Sequence, residues 1–191
     1  MYRTSDDRRF QKNKKAIRKA FINLVISKGY RSVTISDISE EADINRMAFY
    51  AHYDTVEDVF NEFVEDMEQE IASAVLEEPD FDMDRFFNLL NSMMYKEIEF
   101  FRYVAKEKSC SDFRSSFQKA INKILQIDFA DRTDYPPQEK LVAADLVSVC
   151  IAGAYLNWLA GDYGSTGLDT VIAVTKNMLK DQMVHITYRE I

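Results

Sequence analysis

Arg46, Tyr50 and His52, with Thr34, Ser36 and Asn45 upstream of them, are the side chains of this chain whose types and spacing best suit contact with another molecule. A guanidinium can fork onto a guanine edge or grip a phosphate, and hydroxyl, amide and imidazole groups bond phosphate oxygens. Met47, Ala48 and Ala51 fall among them and add short apolar surface, Met47 being able to touch a thymine methyl. Other chemistry is poorly served. Cys110 and Cys150 stand 40 residues apart with no CxxC and no neighbouring histidine, so neither a disulfide nor a zinc site is expected. His52 and His185 are the only histidines, and nothing in the sequence brings them together as metal ligands. There is no nucleophile beside a base and no phosphate-cradling glycine loop, so the expectation is a protein without catalysis, cofactor or metal.

The elements that must position these residues lie within residues 34–53, which read as two very short helices joined by a tight turn. Thr34 or Ser36 caps the first, with an acid following at its positive end. Ile38 and Ala42, four apart, face inward. Asp43 tolerates the left-handed backbone that the turn needs, and Ile44 plugs the angle between the helices. Asn45 then caps a second helix through Tyr53. So small a unit needs a third helix to lean on. Lys12 to Lys28 supplies it, with Ala16, Ile17, Ala20, Phe21, Leu24 and Val25 at helical spacing and Gly29 as the stop. Phe49 and Tyr53 cover that stripe, which leaves Arg46, Met47, Ala48, Tyr50 and Ala51 pointing away from the core. This is the form of a helix-turn-helix whose second helix enters the major groove of DNA.

Charge agrees with that placement. Residues 1–53 hold 11 Lys and Arg against 6 Asp and Glu, a net of +5, whereas residues 54–191 hold 13 against 26, a net of −13; the sum is the chain's −8. An acidic protein that meets nucleic acid must concentrate its cations at the contact, and the helix-turn-helix segment is where they are.

Gly29, Tyr30, Thr34, Ile35, Asp37, Ile38, Ala42, Ile44, Asn45, Phe49, Tyr50, His52 and Tyr53 together resemble the amino-terminal signature of the TetR family of transcriptional regulators. The resemblance implies a homodimeric DNA-binding repressor or activator whose larger domain binds a ligand or partner, with Tyr50, Thr34 and His52 in phosphate-contacting roles. Three positions depart from the pattern. Asp43 stands where glycine is usual, Met47 where a small residue is usual, and Val56 where a lysine usually reaches a phosphate. They imply a salt dependence weaker by about one phosphate contact. Lys12, Lys14 and Lys15 are read either as further backbone contacts or as a solvated face.

The expected fold is all-α, with a three-helix helix-turn-helix domain at 1–54 and a larger helical bundle at 55–191 for effector binding and dimerisation. Thr55 caps a long helix bearing Val59, Phe60, Phe63, Val64, Met67, Ile71 and Val75, stopped before Pro79 and suited to joining the two domains. Helices follow at 82–94, 95–107 and 111–128, then a polar stretch 131–137, then helices 138–160 and 166–187. The last two carry Leu146, Val149, Cys150, Gly153, Ala154 and Trp158, and Leu168, Val171, Ile172, Thr175, Leu179 and Met183, in stripes read as the dimer interface, with Val149, Gly153, Trp158, Ile172, Thr175 and Leu179 at its centre. Phe87, Tyr95, Phe101 and Phe117 on the middle helices are candidates for a ligand pocket, the competing reading being plain core. No run of 18 apolar residues and no apolar leader is present, so a cytoplasmic protein without a membrane span is expected. The function read from the sequence is a transcriptional regulator, in the first instance a repressor. It binds a near-palindromic double-stranded operator as a homodimer, under control of an unknown small-molecule effector or protein partner. The alternative is a helical protein-interaction module with a degenerate helix-turn-helix.

Overall fold

Caps offered by the sequence decide where the helices begin and end. The structure, a computed structural model, describes residues 5–76, 83–107, 110–130 and 136–187. The expectations on Pro79, on 131–135 and on the side chains of Val75, Met183 and His185 lie outside what is described. Helix α1 runs Ser5–Lys28 and stops at Gly29, whose φ of 87° a side chain would resist. After a 3-10 turn at Tyr30–Ser32 come α2, Ile35–Glu41, and α3, Arg46–Tyr50. The cap of α2 is Thr34 rather than Ser36: its hydroxyl accepts from the Asp37 amide while the Asp37 carboxylate accepts from the Thr34 amide. Asp43 holds φ 52° in the turn, and the Asn45 side chain accepts from the Ala48 amide at 2.8 Å. Then follow α4, Val56–Leu76; α5, Met83–Lys96; α6, Ile98–Lys106; α7, Ser111–Ala130; α8, Pro137–Ala160; and α9, Leu168–Thr187. Among the described residues there is no strand.

Most helix bounds move by one to three residues from the sequence reading, and two differences near the amino terminus matter for the site. Helix α1 starts at Ser5, well before Lys12, because a run of Asp, Arg, Gln and Lys shows no apolar period yet is made largely of good helix formers. Helix α3 is shorter than expected and ends at Tyr50, leaving His52 and Tyr53 just beyond it.

The chain divides into two compact units, residues 1–67 and 68–191. In the first, Ile17, Phe21, Val25, Ile38, Phe49, Tyr53, Val59 and Phe60 are buried. The division falls inside α4 rather than at 54/55, since the first turns of that helix help to build this core. The Phe60 ring lies 5.3 Å from Tyr30 and 6.4 Å from Phe21, and Arg18 lies over Phe63 while pairing with Asp66 at 2.7 Å.

In the second unit α8 packs on α6, α7 and α9. Its interior is a chain of rings: Phe101 to Phe113 at 5.8 Å, Phe113 to Phe117 at 6.4 Å, Phe117 to Tyr155 at 6.3 Å and Tyr155 to Phe87 at 6.3 Å. The buried Tyr155 hydroxyl donates to Asn91 Oδ1 at 2.5 Å, which satisfies a group that would be costly to leave alone. Helix α8 is by length and composition apolar enough to cross a bilayer, with mean hydropathy 1.5 in its most apolar window. Packing within the protein accounts for one side of it only. Ala144, Ser148, Ile151, Ala152, Tyr155 and Leu159 face the protein interior, while Leu141, Val142, Leu146 and Val149 stand exposed.

Candidate nucleic-acid interface

The buried side of α3 is Phe49, and with it in the core the rest of the helix turns outward. Arg46, Met47, Tyr50 and Ala51 are exposed, Met47 at 77%. Ala48 is half-buried and offers the least surface of the outward set. Asn45 is exposed, its side-chain oxygen accepting from the Ala48 amide as the cap and its amide nitrogen left to donate to another molecule.

Arg46 does not wave freely. Its Nη2 donates to the Ser36 hydroxyl at 2.5 Å, which ties α3 to α2 across the turn and holds the guanidinium fork over the outer surface. Ser36 is thus a brace for Arg46 as well as a potential contact. Thr34 is similarly committed: its hydroxyl bonds the Asp37 carboxylate at 2.5 Å and receives the Asp37 amide at 3.2 Å. Lys28 closes this corner at 2.6 Å from Asp37. The ammonium and the two Thr34 bonds hold the Asp37 carboxyl down to about 2.

His52 follows the end of α3 and packs at a tilt against Phe10 of α1, ring centroids 4.0 Å apart. Its Nδ1 is buried without a hydrogen-bond partner. Burial lowers its pKa below the usual 6.5; Glu62 opposes that shift and Lys14 adds to it. Beneath it the Tyr53 hydroxyl donates to Glu62, which Lys14 also meets at 2.7 Å. Burial and the neighbouring carboxylate push the Tyr53 phenol far up.

Sequence reasoning missed Phe10. The signal was present, since Phe10, Lys14, Ile17 and Phe21 fall on one helical face, but a single aromatic in a charged run makes no period.

In the second unit, Phe87, Phe101 and Phe117 are buried in the ring chain as packed core, while Tyr95 is exposed and sets its ring edge-on to Trp158 at 6.2 Å. The interface expectation divides as well. Val149 is 48% exposed and, with Gly153, Thr175 and Met178, lines an open groove of about 540 Å³ between α8 and α9. Trp158 is half-buried and donates its ring N–H to the Thr166 carbonyl at 3.1 Å. Ile172 and Leu179, at 6% and 7% exposure, are instead core of the protomer itself. Periodicity cannot separate an inner from an outer stripe on a helix that is apolar on both. Thr175, also buried, donates to the Val171 carbonyl at 2.8 Å. Cys110 is buried, and Cys150, whose thiol burial pushes up, sits in the groove. No group of three or more potential metal ligands occurs among the described residues.

Two capped short helices braced on α1, with the outer face of the second left bare, define a helix-turn-helix protein of the DNA-binding class. Comparison with known proteins agrees. Residues 17–63 match the model of "Bacterial regulatory proteins, tetR family". The likeness is therefore to the amino-terminal domain of that family, over residues 17–63 of a chain of 191. It is 35% identical over 60 residues to the uncharacterized HTH-type transcriptional regulator YxbF of Bacillus subtilis (strain 168), a stretch that is 31% of this chain and 16% of that relative. Among solved structures it resembles the dihydroxyacetone kinase operon activator DhaS, with 20% identity, TM-score 0.69 and coverage of 89% of this chain and 95% of that one. It also resembles NalD, the secondary repressor of the MexAB-OprM multidrug efflux pump in Pseudomonas aeruginosa, with 16% identity, TM-score 0.68 and coverage of 91% and 96%. At these identities the solved structures speak to the fold, which extends over both units.

Proposed function

We propose that the chain represses transcription by binding, as a homodimer, a near-palindromic operator in double-stranded DNA. The observation that carries this reading is the outer face of α3, where Arg46, braced by Ser36, Met47 and Tyr50 project from residues 1–53, the basic part of an otherwise acidic chain. Arg46 reads a base edge or grips a phosphate, Tyr50 and His52 bond the backbone, and the apolar surface of Met47, Ala48 and Ala51 lies along the groove floor. Thr34, Ser36 and Asn45 frame the site from the helix starts.

The dimer forms through the exposed side of α8 and α9. Leu146, Val149, Val174 and Met178 leave there an apolar face that a lone protomer exposes to water. Two copies joined about a two-fold axis present paired α3 helices, hence the palindrome. Control by an effector or partner is assigned to the second unit. A molecule entering at Phe87, Phe101 or Phe117 must open a packed ring chain, so it acts by favouring a minor, opened state. Helix α4, shared by both units, is the element through which such a shift reaches the first. Operation on cytoplasmic DNA follows from this reading.

A gel-shift titration against the DNA upstream of the chain's own gene, at two salt concentrations, tests the function. A discrete, salt-sensitive complex that an unrelated duplex does not compete away is the expected result. Absence of any complex would instead favour a protein-interaction module with a degenerate helix-turn-helix.

A further inference from the structure

The family match begins at Ile17, but α1 begins at Ser5, so roughly three helical turns precede the matched domain. Residues 8–19 hold seven Lys or Arg and no Asp or Glu. Two of the seven are held within the unit, Lys14 by Glu62 and Arg18 by Asp66, each at 2.7 Å. Arg8, Arg9, Lys12, Lys15 and Lys19 are exposed, and none is paired with a described carboxylate. Asp6 and Asp7 precede them in the same helix, but from Arg8 on the cations repel one another, which loosens this stretch of the helix unless something holds it.

Phe10 holds it. Its ring packs on His52, two residues past the end of α3, and Lys14, one turn on, reaches Glu62. Phe10 is itself 44% exposed, so it is not there to fill the core. Its packing on His52 fixes the first turns of α1 beside the carboxyl end of the helix that reads DNA, carrying Arg8, Arg9 and Lys12 with it.

We infer that the amino-terminal turns of α1 form a second phosphate-binding element, in which Arg8, Arg9 and Lys12 grip the DNA backbone and Phe10 is a positioning residue that latches them to α3 through His52. This rests on α3 being the DNA-reading helix. Guanidinium groups suit the role because they fork onto phosphate oxygens, and each phosphate neutralised releases counterions. The latch supplies pre-organisation: cations already in place lose less freedom on binding than cations on a frayed end.

The test is fluorescence anisotropy of the full chain with a labelled mixed-sequence duplex long enough for two half-sites, across a salt series. Arg8→Gln with Arg9→Gln should flatten the slope of log affinity against log salt by about 0.9 for each phosphate that is no longer neutralised. Phe10→Ala, which keeps every charge, should flatten it in the same sense, and Phe10→Tyr should restore it. Lys96→Gln with Lys106→Gln makes the same charge change in the second unit and should leave the slope alone. A steep parental slope that the arginine pair leaves unmoved would overturn the inference while sparing the DNA reading. An unmoved slope in Phe10→Ala would remove the latch. A parent that binds the duplex without salt dependence, or not at all, would overturn both readings.

Discussion

The first unit is assembled from short polar devices and the second from rings. In the first, helices α2 and α3 are too short to persist alone, and each is closed by a side-chain cap, Thr34 with Asp37 and Asn45 with Ala48, and clamped by Lys28 and Ser36. In the second, the middle helices meet through stacked and edge-on phenylalanines, with one buried hydroxyl satisfied by Asn91. The difference has a functional consequence. Polar caps leave the outer face of α3 bare and rigid, which suits reading a fixed surface such as DNA. A ring core can repack around a guest, at a cost set by how much of its packing must open.

The comparison breaks most visibly at Phe117. Phe117→Ala empties the centre of the ring chain and should destabilise the second unit by about 3–5 kcal/mol, read as a lowered midpoint in urea unfolding, whereas DNA affinity of the still-folded protein should hold. An equal fall in both would show that the units are not separable in energy.

The exposed α8–α9 face comes next. Val149→Lys should weaken the dimer by tenfold or more, about 1.4 kcal/mol at least, in light scattering at falling concentration, without changing the helical content. Ile172→Lys should instead unfold the protomer, because it lies inside. An intact dimer in Val149→Lys would place the interface elsewhere.

On the polar side, Arg46→Ala should cost about 1–3 kcal/mol of operator affinity and relax preference at one position of each half-site if it reads a base. A weakening uniform over all sequences would make it a phosphate contact. Asn45→Ala removes the α3 cap and should cost about 1 kcal/mol in thermal unfolding of the whole chain, with Asn45→Ser nearly neutral.

The smallest effects are those of pH. Burial keeps the folded-state pKa of His52 below 6.5, so the unfolded chain binds the proton first as pH falls; its contribution is present above that value and lost below it. Lys14 works with burial here and Glu62 against it. Asp37, lowered from 3.8 to about 2, likewise contributes above 3.8 and loses that contribution as pH falls to about 2. Melting temperatures of the parent, His52→Gln and Asp37→Asn across acidic pH should show the slope shrinking in each variant within its own window.

The sequence by itself determined the caps, the turn and the inward side of α2 and α3, though not where α1 starts. Caps, the left-handed Asp43 and the inward Phe49 are local signals, and each acts within a few residues of where it is written. The existence and order of the remaining helices were legible for the same reason, and so was the charge contrast between the two parts of the chain. Tertiary structure alone decided the rest. Helix α4 contributes to both units, which no boundary drawn at a helix start could express. On α8 and α9 only packing tells Val149, outside, from Ile172, inside, because both stripes are apolar and periodicity carries no sign. Phe87, Phe101 and Phe117 read equally as pocket or core until their rings were placed against one another. Phe10 meets His52 from far along the chain, a pairing that no local pattern encodes and that depends on two helices being brought side by side.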